Sequence, residues 1–491
     1  MKKVIVIGSG VGGLSSAALL AMQGYKVTLL EKNDRAGGRA MLYEQDGFKF
    51  DMGPSWYLMP EVFEDYFAKF NKKTSEYYDL IKLDPNYRIF FGAQNSIDIY
   101  AELEKNKEVF ERLETGSYEK LLELLKVSER QYKISMKYFV TKNFKSVFDL
   151  FNKDSLKYGR ELQVFKTIDS YIRQYFKSED LIKVVLYSVL FLGGIPKKTP
   201  AIFSMMSYID YKLGVWYPMG GVNKVIEALV KLGLEYGVEY KFNSPVQKIN
   251  VIDGVAKSVT VNGEQIEANI ILSNADYEFT ETQLLDKKYQ TYSLNYWNKK
   301  LLAPSAFVMY LGINKKVKNL LHHTIILSKD WNEHFTEDII NKPKWPNNPS
   351  IYVCCPSKTD SSVAPEGYEN VFVTVPVAAG LADTPEIRKE YRDKVIKIIE
   401  NYIGESFNEN IILEKIITVN DYKEMYNAFN GSSVGLAPTL MQSAFFKPKN
   451  KSKKVSNLYY AGQYVNPGSG VPMCLISGQL AVEMINEDAN H

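Results

Sequence analysis

The sequence predicts an α/β protein built on a buried parallel sheet, and three stretches carry that prediction. Residues 2–32, "KKVIVIGSGVGGLSSAALLAMQGYKVTLLEK", read as strand, tight turn, helix and strand. The same style returns at 216–251, "WYPMGGVNKVIEALVKLGLEYGVEYKFNSPVQKINV", and continues to a strand at 267–276. Close to the last residue, where composition usually drifts, "NLYYAGQYVNPGSGVPMCLISGQLAVEMI" (457–485) is again strand, Gly/Pro turn and apolar helix. At 491 residues the chain exceeds one comfortable core, so two or three structural units are expected.

The first stretch is specific. Val4 to Ile7 form a continuous apolar strand of the kind buried on both faces of a parallel sheet. Gly8, Gly10 and Gly13 then give G-x-G-x-x-G, with Ser9, Val11 and Gly12 between them. The first glycine permits the turn, the second admits a pyrophosphate to the backbone, and the third lets helix and strand pack closely. The helix, expected over 12–23, points its N-terminal amides and dipole at the phosphates. Glu31, followed by Lys32, ends the second strand and is placed to accept hydrogen bonds from a ribose hydroxyl; a carboxylate there disfavours a 2′-phosphate. A bare glycine turn is the alternative, which the strand, helix and acid around the motif argue against.

Composition narrows the class. Charges nearly balance, 60 Lys and Arg against 57 Asp and Glu, which speaks against a nucleic-acid partner. Three cysteines without a C-x-x-C spacing offer neither a disulfide framework nor a thiolate metal site and fit a reducing compartment. Four histidines leave little for metal chemistry, and no metal is expected; His322 and His323 read as surface residues in a polar connection. The apolar start is broken by glycines and reads as a folded unit, not a secretory leader, and the run 184–196 is too short to span a bilayer. With 34 Tyr and 25 Phe there is much aromatic wall to build.

Residues 100–215 read as mostly helical. Within 131–160, six Lys and one Arg face two Asp, interleaved with seven Tyr or Phe. Such a pattern suits a helix at an anionic membrane surface, with a solvated helical face as the alternative. Strand candidates between 304 and 380 and a helix at 386–403 predict a mixed β/α unit. In the C-terminal stretch a Pro in the first helical turn is favourable, and a helix N-terminus after a strand is a site for negative charge.

"EKNDRAGGRAMLYEQDGFKFDMGPSW" (31–56) resembles the G-G-R extension of the FAD-dependent amine oxidase and phytoene desaturase superfamily. "AGQYVNPGSGVPMCLISGQ" resembles the C-terminal FAD segment of bacterial phytoene desaturases of the CrtI type, and "FDMGPSWYLMPEVFEDYF" with "LDPNYRIFFG" their N-terminal region; the dehydrosqualene (diapophytoene) desaturases are included. The resemblance implies FAD and a Rossmann-like domain built from discontinuous segments, 1–90, 216–285 and 455–491. A helical membrane or substrate-access region at 100–215 and a substrate domain at 286–454 would complete it. It places Gly37, Gly38 and Arg39 along the pyrophosphate, and Gly53, Pro54 and Ser55 toward the isoalloxazine. Val246 would lie near the adenine with Asn274 close by. Gly462, Gln463, Gly470, Val471, Pro472 and Met473 would close over the redox end.

The implied activity is desaturation of a long apolar carotenoid precursor, phytoene or its C30 analogue, by an enzyme peripheral on the inner face of the cell membrane. The alternative is a later-step carotenoid desaturase, isomerase or oxidase, or another amine-oxidase-like flavoenzyme. The sequence selects neither oxygen nor a quinone as electron acceptor and reveals no catalytic residue. Asp210 reads as a surface carboxylate, with an acid–base role as the alternative.

Overall fold

A computed structural model describes residues 1–143, 162–190, 193–330, 333–443 and 446–489. The basic, aromatic-rich stretch 131–160 thus lies largely outside the described residues.

The first sheet has five parallel strands, ordered Leu458–Tyr460, Ile270–Ser273, Lys3–Ile7 (β1), Lys26–Leu30 (β2) and Glu239–Lys241. Strand alternation builds two cores from one sheet. Val4 and Val6 of β1 turn toward the helix Val11–Met22 (α1), the helix Asn223–Glu235 and the C-terminal helix Val471–Ala489. Ile5 and Ile7 turn the other way, onto the meander Val246–Ile252, Val255–Val261 and Glu264–Glu267, which carries Ile249 and Val259.

The second sheet has seven strands, ordered Ile411–Ile417, Ser305–Ile313, Glu369–Val377, Ile351–Cys354, His323–Ile326, Tyr87–Gly92 and Asn95–Ile99. Its faces separate in the same way. Phe307, Met309 and Leu311 pack under the helix Pro385–Ile403, while Val308 and Tyr310 join the aromatic core shared with the helices of 106–213. The expected boundary at 90 falls inside the strand Tyr87–Gly92, which pairs in parallel with His323–Ile326.

His322 and His323 are not surface residues, as the sequence had implied. His323 opens a strand in the sheet interior and is 0% exposed, and His322 is 5% exposed. The polar connection is shorter than it reads, because the following Thr-Ile-Ile-Leu draws both histidines into the core. Among the described residues no helix is long and apolar enough to cross a membrane.

The contact between α1 and the C-terminal helix depends on small residues. A Cβ on Gly478 would stand 2.0 Å from Ser15 Oγ and 2.6 Å from the Gly12 carbonyl oxygen. A Cβ on Gly13 would stand 2.1 Å from the Gly8 carbonyl oxygen. Gly478→Val should therefore force the helix pair apart and lower unfolding free energy by about 1–3 kcal/mol, read by urea denaturation; an unchanged midpoint would contradict this packing.

Candidate functional site

A cavity of about 810 Å³ runs between the five-stranded sheet and the seven-stranded one. Its first half is polar and is built around the end of β1. The N-cap of α1, Gly10, provides no side-chain cap. The first-turn amides, which have no intrahelical partner, are left for a ligand, and Gly10, Val11 and Gly12 line the cavity.

Glu31, at the end of β2, is buried. Its Oε2 accepts from the Ser9 N–H at 2.8 Å and the Ser9 hydroxyl at 2.7 Å, and its Oε1 from the Asn33 N–H at 2.9 Å. A carboxylate has about four acceptor positions, so a fixed Glu31 keeps one for a ligand hydroxyl.

Arg39 enters from the loop after Gly37 and Gly38. Its Nη2 lies 3.6 Å from Asp276 Oδ2, and its guanidinium stands 5.5 Å from the centre of the Tyr426 ring. The Nε and Nη2 atoms, and Asp276 Oδ2, are buried without a hydrogen-bond partner. Burial pushes the Asp276 carboxyl up to about 6, against the opposing pull of Arg39. Unpaired guanidinium nitrogens on a cavity wall, beside free helix amides, are the donor set for a bridging phosphate pair.

The predicted site residues converge. Gly8, Ser9, Gly10, Val11, Gly12, Glu31, Lys32, Gly37, Gly38, Arg39, Gly53, Pro54, Ser55, Val246, Asn274, Gly462, Gln463, Gly470, Val471, Pro472 and Met473 all line this cavity. Gly13 sits behind it, in the helix–strand contact. Lys32 lines the wall but its ammonium is taken up by the Glu424 carbonyl and Asn427 Oδ1, and burial lowers its pKa. Asn274 donates through Nδ2 to the Ala461 carbonyl at 3.0 Å, and the Gly462 N–H is held by Ser477 Oγ at 3.0 Å.

The second half is apolar. Met136, Phe139, Phe203 and Met206 line it from the helical region, and Val308 and Phe335 from the substrate side. Tyr352 was not selected from the sequence. Alternation in "IYVC" pairs Tyr352 with Cys354 on one face, but which face meets a cavity is decided by the neighbouring sheet. Tyr422 and Tyr426, at helical spacing, were the available signal for the wall beside Arg39.

Asp210 corrects the sequence reading too. It is 3% exposed and accepts from the Tyr87 hydroxyl at 2.7 Å; its sequence neighbour Ile209 lines the cavity.

The family described as flavin containing amine oxidoreductase matches residues 11–486. The chain belongs to that family. Its cofactor is FAD, and it is an FAD-dependent oxidoreductase. The carotenoid 3,4-desaturase of Haloarcula japonica is 45% identical over 486 residues, covering 99% of this chain and 98% of that protein. The zeta-carotene-forming phytoene desaturase of Myxococcus xanthus is 32% identical, covering 99% and 94%. The 4,4′-diapophytoene desaturase (4,4′-diaponeurosporene-forming) of Staphylococcus aureus is also 32% identical, covering 99% of each chain. Putrescine oxidase shares the fold, with a TM-score of 0.62 at 12% identity over 99% of each chain.

Burial raises the Asp210 carboxyl to about 7, well above its unfolded value. The folded state therefore holds a proton that the unfolded state has released, and this group's contribution to stability falls as pH rises from about 4 to about 7. Asp210→Asn should flatten the stability–pH slope in that window by up to about 1.4 kcal/mol per pH unit. Denaturation midpoints across the window read this, and an unaltered slope would contradict it.

Proposed function

We propose that this flavoenzyme desaturates a long apolar polyene in carotenoid biosynthesis, converting a CH–CH bond to a double bond. The observation that carries this reading is the two-part cavity, with dinucleotide chemistry at one end and an aromatic and aliphatic sleeve at the other. Bound FAD supplies the hydride acceptor.

The chain's residues do the rest. Glu31 holds a ribose hydroxyl, and the α1 amides with Arg39 hold the pyrophosphate. Gly53–Ser55, Gly462, Gln463 and the first turn at Gly470–Met473 enclose the ring, while Val246 and Asn274 bound the adenine side. The N-terminus of the helix Val471–Ala489, which lines the cavity through Val471, Pro472 and Met473, would favour negative charge on a flavin bound against it. The apolar sleeve orients the polyene and excludes water.

Phytoene and its C30 analogue are one substrate pair. The 45% identity to a carotenoid 3,4-desaturase, against 32% for the phytoene and diapophytoene enzymes, favours a later-step carotenoid as a second reading. Feeding separates them: a host making phytoene or dehydrosqualene gains colour under the first, and a host making a coloured carotenoid shows a further-desaturated pigment under the second. No change in any host would refute desaturation.

Contact with the inner face of the cell membrane is part of the same reading. It is supported by the basic, aromatic-rich composition of 131–160 and by Phe165, 90% exposed beside Lys166. We also assign 1–90, apart from the part of it in the strand Tyr87–Gly92, with 216–285 and 455–491 to cofactor binding, 100–215 to substrate access and 286–454 to substrate, with oxygen or a quinone as final acceptor.

Arg39→Met should weaken FAD retention by about 10- to 100-fold, the value of a hydrogen-bonded charge. The flavin-to-protein ratio after gel filtration reports it, and full retention would remove Arg39 from the pyrophosphate.

A further inference from the structure

Desaturation separates a hydride from one carbon and a proton from its neighbour, and the second departure needs an acceptor on the cavity wall. The charged side chains on the wall, Glu31, Lys32, Arg39, Asp276 and Lys447, belong to the cofactor half; the Lys447 ammonium lies 3.5 Å from the Gln463 carbonyl oxygen, on the loop after Leu458–Tyr460. Where that half meets the apolar sleeve, Ser55 of the cofactor-lining segment touches Tyr352 of the substrate sheet.

The Tyr352 hydroxyl is the hub of a polar cluster in an otherwise greasy wall. It lies 2.7 Å from Ser55 Oγ, accepts from Trp56 Nε1 at 3.1 Å, and lies 2.8 Å from His323 Nδ1. Trp56 also stacks on the His323 ring, with centroids 5.0 Å apart, which fixes the imidazole plane. His323 meets His322 edge-on at 4.5 Å between centroids, and a ring nitrogen of each lies within 4.8 Å of the other. The Nε2 atoms of both are buried without a hydrogen-bond partner. His322 Nδ1 lies 2.8 Å from Thr359 Oγ1; Thr359 is half-buried, and Ser361 and Ser362 just beyond it are exposed. The hydrogen-bonded chain that starts at the cavity thus runs through Ser55, Tyr352 and His323 and ends there, since the two imidazoles touch edge-on without a hydrogen bond between them.

We propose, resting on the desaturase reading, that Tyr352, backed by Ser55 and His323, accepts the proton lost by the polyene as its own hydroxyl proton passes to His323. As hydride leaves for the flavin acceptor, the electron pair of the neighbouring C–H bond becomes the new π bond. That proton moves to the Tyr352 oxygen while the tyrosine's own proton moves to His323 Nδ1. His323, now protonated on both ring nitrogens, holds the proton until product leaves. Burial holds both imidazoles neutral, His323 well below its ordinary pKa. A weak base suffices, because the carbon beside a developing polyene cation is strongly acidic.

The test uses holoenzyme and the polyene that the wild-type chain converts, with anaerobic single-turnover flavin bleaching as the readout. Tyr352→Phe and His323→Asn should keep FAD content and polyene affinity yet slow bleaching by on the order of 10²-fold. Deuterium at the proton-losing carbon should slow the variants by a larger factor than it slows wild type. Bleaching at the wild-type rate, or a slower rate with unchanged isotope sensitivity, would overturn the proposal. So would a stoichiometric metal ion in purified holoenzyme, since it would occupy the imidazole nitrogens. Failure of wild-type flavin to bleach with any polyene would instead refute the desaturase reading itself.

Discussion

The side chain of Asn274 sits where three distant pieces of chain meet, and the site is organised around that meeting. A Cβ placed on Gly10, Gly12, Gly13 or Gly462 would come within 2.6–3.1 Å of Asn274 side-chain atoms. The glycine turn after β1, the turn after Ile270–Ser273 and the loop after Leu458–Tyr460 are adjacent because their strands are neighbours in one parallel sheet. All three loops leave the same sheet edge, the carboxyl ends of parallel strands, where ligands of open α/β sheets collect. Backbone approaches backbone there, and a side chain at any of these glycines would collide with Asn274 and push the three loops apart.

That geometry leaves charge in an awkward state. The buried Arg39 nitrogens and Asp276 oxygen lie near each other without a hydrogen bond, and partly satisfied polar groups in a low-dielectric wall are costly. A diphosphate would complete the guanidinium's hydrogen bonds, and a ligand that binds only the folded chain also stabilises it. The cofactor is thereby part of the fold's electrostatics as well as of its chemistry.

The cofactor half was legible in the sequence because its constraints are local: a turn of fixed glycine spacing, an acid one strand later, a Gly-Gly-Arg just beyond. Gly13 was even separable in role, since helix–strand packing and phosphate contact are different demands on different glycines. The sleeve was not legible. Its walls come from alternate positions of strands such as Ser305–Ile313, buried on both faces, where the sequence shows a continuous apolar run with no polar side to mark. His322, His323 and Asp210 were misread for one reason: polar residues suggest surface, and only three-dimensional partners such as Tyr352, Thr359 and Tyr87 make them tolerable inside.

The pairing of α1 with the C-terminal helix has a consequence for biosynthesis. α1 (Val11–Met22) leaves a ribosome some tens of seconds of elongation before its partner Val471–Ala489. During that interval the apolar face formed by Leu14, Ala17 and Ala18 lacks the cover of Leu475, Leu480 and Val482. The strand Leu458–Tyr460, which carries the loop closing over the flavin, is missing as well. The chain must therefore keep this hydrophobic surface shielded until Val471–Ala489 has been made, and flavin capture waits on the same stretch, so that a premature stop ahead of it would forfeit both.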